Sequence, residues 1–195
     1  MRWLTLYARS RQVPASLAAV LISATAVWAL APDGSEGSGD PRLTTLFLVA
    51  GVTAASIGLG GQDIALDRTA AIRWIPRRAL HVLLIGTVVC AVGAVLPAAQ
   101  MTGEDDLAAT EFVVRNSAGL MGLVAIGATV CGAPYAWTPP MAWLSFSLFA
   151  PAPTGVPTQV LTWMFLPPGT AAGTWTALVL AVAGTAVYAV AGPRR

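Results

Sequence analysis

The stretch GGQDIALDRTAAIRWIPRRALH, running from Gly60 to His81, lies between two apolar runs and decides how the chain is oriented. It carries Arg68, Arg73, Arg77 and Arg78. Arginines clustered in a short connection between spans mark the cytoplasmic side, because moving them across a bilayer is unfavourable. With this loop placed inside, the remaining segments alternate across the membrane.

Composition sets the class. Hydrophobic residues make up 56% of the chain and charged ones 10%, against about 25% charged in soluble domains. The mean hydropathy is +0.70. The 195 residues read as a single transmembrane domain, 1–195, with room for about six spans of roughly 20 residues. No separate soluble catalytic domain fits beside them. All 11 basic residues are arginine, so there is no Walker A lysine, no Schiff-base lysine and no Ser-Lys dyad. If ATP drives this protein, another chain must bind it. Cys90 and Cys131 fall at different depths, offset by roughly 10 Å or more along the helix axes at 1.5 Å per residue, whereas a bridge needs Cα atoms within about 7 Å. Both read as small packing residues.

On the N-terminal side of the loop, Leu43 to Gly60 reads as a span. Gly51 with Ala55 and Ala54 with Gly58 give it a small-xxx-small face for close packing. The acidic loop PDGSEGSGDP (Pro32 to Pro41) precedes it, and Pro14 to Ala31 forms the first span. Ala29-Leu30-Ala31 has the form of a signal-cleavage site. Pro32 would follow the cut, however, and the apolar run exceeds a usual signal core, so the segment is read as a span. Met1 to Val13 carries Arg2, Arg9 and Arg11 among apolar residues and reads as a basic interfacial segment.

On the C-terminal side, Pro76 sits in the first turn of a span running from Ala79 to Ala98, where its missing N–H costs nothing. Thr102-x-x-Asp105 resembles a capping box and opens the next helix, with a span over Phe112 to Gly132. Ala133 to Pro140 turns the chain. Met141 to Ala150 and Val160 to Leu166 are both apolar, but prolines 151, 153, 157, 167 and 168 interrupt them. Neither run crosses a core of roughly 30 Å as a helix. They read as a broken span followed by a half-helix dipping back from outside, which needs protein or water to cover its backbone. Ala171 to Gly192 is the last span, and Pro193 to Arg195 ends inside.

The fold class is therefore all-α: a polytopic membrane protein of about six transmembrane helices, with both termini cytoplasmic and the fifth span broken or re-entrant. Nine of 11 arginines fall inside and seven of nine acidic residues outside, which agrees with that orientation. Trp28, Trp137, Trp163 and Trp175 fall near the expected interfaces, as an aromatic belt would place them.

Chemical signatures are scarce. The sequence contains no GxSxG, HExxH or CxxC motif, so it points away from an enzyme and names no catalytic residue, metal ligand or cofactor. His81 is the single histidine and reads as an interfacial structural residue. The sharpest polar cluster is Glu111, Arg115 and Asn116, with the acid four residues before the base, the favourable helical order. Two readings stay open here. If the span starts at Leu107, the pair lies inside the hydrocarbon and is a functional candidate. If Ser117 to Ala136 supplies the span, Arg115 snorkels to the outer interface. In the arginine loop, Asp67 is positioned to cap a short helix, with Ile72, Arg73, Trp74, Arg77 and Arg78 as a partner-contact surface; the plainer reading is a solvated topology signal.

The layout resembles the permease subunits of type-2 ABC exporters. The resemblance rests on the basic segment Met1–Val13, the cytoplasmic helical loop Asp67–Arg78 and the proline-broken segment Pro151–Gly169. The run EFVVRNSAGLMGL, Glu111 to Leu123, also looks like small actinobacterial integral membrane proteins. The resemblance implies a cell-membrane protein in a lipid bilayer, assembled as a homo- or hetero-oligomer and seated on a cytoplasmic ATPase subunit, with no nucleic-acid partner. The alternative is a non-transporting scaffold or accessory subunit.

Overall fold

A computed structural model describes residues 41–59, 74–98 and 104–194, together with the separate helical positions Ala18, Leu21, Ile22 and Thr25. The basic N-terminal segment, most of the first expected span, the acidic 32–40 loop and residues 60–73, with Asp67, Ile72 and Arg73, lie outside the described residues.

Among the continuously described residues, six α-helices follow in order. They are α1 (Pro41–Ser56), α2 (Trp74–Ala98), α3 (Glu104–Val130), α4 (Thr138–Phe149), α5 (Val156–Leu161) and α6 (Ala171–Ala191). Short 3-10 turns lie at Ile57–Leu59, Ala133–Tyr135 and Trp163–Phe165. No strand occurs among the described residues. Among the described residues, four stretches are long and apolar enough to cross a membrane: Pro41–Leu59, Ile75–Ala94, Leu107–Val130 and Ala171–Ala191.

The helix starts have local causes. Pro76 lies in the first turn of α2, where its missing N–H costs nothing, and α3 opens at Glu104. That helix begins at Glu104, where the Thr102-x-x-Asp105 pattern placed its opening, and its apolar stretch starts at Leu107, five residues before the span drawn from Phe112. Between α4 and α6 the chain breaks where the prolines fall. Ala150 is extended, Gly155 is extended, and α5 has only six residues. Each proline lacks a donor, and the residue before it is pushed out of the helical region.

The centre of the bundle is α3. Of its most apolar window 78% is buried, against 11% for α2 and 22% for α6. The most extensive helix contact joins α3 to α6, followed by α2 to α3. The outer faces of α2 and α6 instead present Leu80, Leu83, Leu84, Leu178, Val179 and Val182. In water such patches would drive association; facing lipid they carry no penalty.

The α3–α6 contact is set by glycine. A Cβ on Gly122 would land on the Leu180 carbonyl, and one on Gly184 would land on the Gly122 carbonyl. The two backbones touch, as small residues permit within membranes. On α1, by contrast, a Cβ at Gly51 would sit 3.5 Å from Val89, an ordinary contact. Gly51 and Ala55 are buried, yet the closest helix approach lies at the α3–α6 crossing and not on that face.

Candidate functional site

Three features concentrate where α3 meets residues 163–169. After the 3-10 turn the chain enters Pro167-Pro168 and reverses at Gly169, whose φ of 77° favours glycine. Prolines give no N–H to this stretch, so its carbonyls have few backbone partners. Unsatisfied carbonyls among membrane helices cost several kcal/mol each, an order-of-magnitude figure. Side chains from neighbouring helices satisfy them.

Arg115 supplies most of the donors. Its Nη2 donates to the Leu166 carbonyl at 2.6 Å and to that of Trp163 at 3.4 Å. Nη1 donates to Pro167 at 2.9 Å, and Nε to Asn116 Oδ1 at 3.2 Å. Asn116 Nδ2 in turn donates to the Met164 carbonyl at 2.7 Å, which also accepts from Thr45 Oγ1 of α1 at 3.1 Å. Glu111 Oε1 accepts the Gly169 N–H at 2.9 Å. The Arg115 guanidinium carbon lies 5.2 Å from the centroid of the Phe112 ring, within cation–π range.

Arg115 is 6% exposed and Asn116 is fully buried, whereas Glu111 is exposed. The guanidinium is held by carbonyls instead of reaching out to water. Glu111 and Arg115 share a helical face, but their hydrogen bonds go to residues 163–169 and, from Arg115 Nε, to Asn116, and not to each other. Four of the five guanidinium donors are directed to this chain's own groups, counting one per bond. The cluster therefore fixes backbone.

Trp163 departs from the expected aromatic belt. It is fully buried, and a Cβ on Gly119 would collide with its six-membered ring and with the Ala177 backbone. Its Nε1 has no hydrogen-bond partner. Gly173 on α6 makes room for Arg115, whose Nη1 would lie 3.1 Å from a Cβ there. Trp137 and Trp175 are exposed.

At the opposite end of the bundle, His81 Nε2 lies 2.9 Å from the Gly58 carbonyl, and the Tyr188 hydroxyl donates to that of Leu59 at 2.9 Å. Both carbonyls belong to the turn that ends α1 and lack helical partners. A carbonyl partner calls for a proton on His81 Nε2. Of the partner-contact set, Arg77 is exposed and Arg78 packs on Gly192 at the end of α6. Trp74 is the first residue of α2. Cys90 is half-buried and Cys131 exposed, both free thiols; Cys131 is thus not the packing residue expected of it. Among the described residues no three His, Cys, Asp or Glu side chains cluster as metal ligands do.

Comparison of the chain with protein-family models, curated protein sequences and solved structures gives no match.

Sequence reasoning singled out Glu111, Arg115 and Asn116 by charge spacing. It missed their partners, Thr45, Trp163, Gly119 and Gly173. One signal was present: a proline-rich stretch with apolar neighbours must obtain donors from elsewhere, and Arg115-Asn116 is the richest donor pair in any span.

Proposed function

We propose that the chain is the membrane-embedded permease subunit of an ABC-type exporter in the cell membrane, driven by a separate ATPase chain. The observation that carries this reading is the broken segment from α4 to Gly169, folded onto α3 and held by Arg115, Asn116 and Glu111. Irregular backbone at membrane depth is tolerated where protein buries it or where it lines a water-filled cavity, and a permease uses such a segment beside its path. The absence of lysine from the chain supports a division of labour in which another chain binds the nucleotide. In this reading the layout is six spans with both termini and the 60–81 loop cytoplasmic, and Ile72, Arg73, Trp74, Arg77 and Arg78 contact the ATPase.

A scaffold or accessory subunit is the second reading, favoured by the spending of Arg115 on backbone. Co-purification separates the two. The permease reading expects an ATPase to co-purify with the unmodified protein. It also expects Trp74→Ala, or Arg73→Lys with Arg77→Lys, to weaken that association without altering orientation, because lysine keeps the charge but not the planar fork. No co-purifying ATPase, or unchanged binding by these variants, would leave the scaffold in the lead. Orientation is checked separately by single-cysteine labelling in a Cys90- and Cys131-free background. Positions 36 and 104 should label from outside, and position 70 only after permeabilisation.

A further inference from the structure

The central helix is bare along one strip. Leu107, Glu111, Val114 and Ala118 follow one another at helical spacing on α3 and all are exposed. From Gly119 to Thr129, by contrast, no residue of α3 is exposed. At the foot of the strip, Val114 and Ala118 form the floor of an apolar groove of about 230 Å³. Gly86 and Cys90 of α2 stand on one wall, and Ala181 and Thr185 of α6 on the other. Farther along, α2 and α6 close together where Arg78 packs on Gly192. Small residues on all three sides let a helix backbone come close.

The chain itself supplies an occupant of the right length. Residues 14–31, PASLAAVLISATAVWALA, are the apolar segment read as the first span. All of it except Ala18, Leu21, Ile22 and Thr25 lies outside the described residues. Those four are helical, share one face of a 3.6-residue period and are exposed, Leu21 at 54% and Ile22 at 66%. On the same period the opposite face reads Ser16, Ala19, Ser23 and Val27. Ala19 and Ser23 stand four apart, a small-xxx-small pair suited to close packing.

The connection fits as well. Residues 32–40 join the segment to Pro41, and α1 begins at the open end of the groove, since Thr45 and Asn116 share the Met164 carbonyl. Gly51 of α1 faces Val89 of α2, so the groove lies one helix over, about 20 Å away at 8–10 Å per packed pair. A connection of that length reaches about 30 Å when extended. A second copy of the chain also has apolar helices to offer. A short tether, however, holds residues 14–31 at roughly millimolar effective concentration, which favours the chain's own segment.

We propose that residues 14–31 pack into this groove through Ser16, Ala19, Ser23 and Val27, covering Val114 and Ala118 and leaving Leu21 and Ile22 to face lipid. The inference rests on the layout in which 14–31 crosses the membrane, and not on whether the chain transports anything.

Cys90 serves as the reporter, a free thiol on the groove wall. It precedes Ala94, the end of the apolar stretch of α2, by as many residues as Val27 precedes Ala31, so the two match in depth. The test is copper-phenanthroline oxidation of the full chain in membranes, in a Cys131→Ser background. Val27→Cys should form a disulfide with Cys90 within one chain. Thr25→Cys, on the exposed face, should give at least about fivefold less, because bridged Cα atoms must come within about 7 Å. Adding Ala118→Trp, which fills the groove floor, should cut the Val27→Cys yield by a similar factor. Equal yields at positions 25 and 27, or no disulfide from either, would overturn the proposal. So would a disulfide joining two chains, which would make the occupant a second copy, or a yield unchanged by Ala118→Trp. If Ala118→Trp fails to fold, the comparison of positions 25 and 27 decides. Labelling of position 36 from outside keeps the outcomes apart: if it labels and no disulfide forms, the layout stands and the docking fails.

Discussion

The two halves of α3 are packed by opposite means. From Gly119 to Gly127 the helix is held by what it lacks. Gly119, Gly122 and Gly127 let a tryptophan ring, the α6 backbone and the 133–139 turn come closer than any side chain would permit. From Glu111 to Asn116 the same helix is held by what it reaches with, polar side chains that complete the hydrogen bonding of a proline-broken stretch. The first half is dry and shaped by steric fit. The second is wet chemistry carried out where there is little water. In a bilayer, helix against helix gains little from the hydrophobic effect, so close approach and hydrogen bonds are the two means available, and α3 uses one in each half.

Breaking the first half should have the largest effect. Gly122→Leu sets a side chain against the Leu180 carbonyl, and backbone cannot move aside as a flexible side chain can. We expect a loss of more than about 4 kcal/mol, beyond the usual cost of overpacking, seen as loss of a monodisperse peak in fluorescence-detected size exclusion. Gly184→Leu should behave alike. A folded Gly122→Leu protein of normal stability would mean that α3 and α6 do not cross there.

In the second half, Arg115→Leu keeps the volume but takes from the Leu166 carbonyl the donor that holds it, and one donor each from the Trp163 and Pro167 carbonyls, which keep the Leu166 N–H and Thr170 respectively. At about 1–3 kcal/mol per orphaned group, reduced by partial compensation from neighbours, the expected loss is about 3 kcal/mol in a steric-trapping or thermal assay. Arg115→Lys should recover less than half of it, since one ammonium cannot span three carbonyls in a plane. Full rescue by lysine would show that charge, not the fork, holds the segment.

The smallest effect sharpens the contrast. Gly51→Ala adds a methyl at 3.5 Å from Val89, and exchanging glycine for alanine within a helix is favourable by roughly 0.5–1 kcal/mol. Stability should stay the same or rise slightly. A clear loss would place the tight helix contact on α1 after all.

How much of this was legible follows from the kind of information each feature carries. Apolar length located the helices now numbered α1, α2, α3 and α6, and the prolines marked the break after α4, because both are local properties. The Gly122–Gly184 contact was not legible, since a glycine in a helix gives no indication of which partner approaches it. Gly51 and Ala55 formed the better sequence motif and make the looser contact. Trp163 misled for a related reason. A tryptophan near a span end reads as a belt residue, but here the chain folds it inward onto Gly119. Arg115 was legible as a residue needing an explanation; that its partners are carbonyls 48 to 52 residues later depends on tertiary structure.

The turn that ends α1 carries a mechanical consequence. Gly58 and Leu59 are bonded to His81 of α2 and Tyr188 of α6, immediately before the arginine-bearing stretch begins. Two helices thus rivet the exit of a third, and a pull on the chain beyond Leu59 is borne by α2 and α6 before α1 itself is strained. Replacing Tyr188 with phenylalanine would remove its bond to the Leu59 carbonyl while leaving His81 on Gly58.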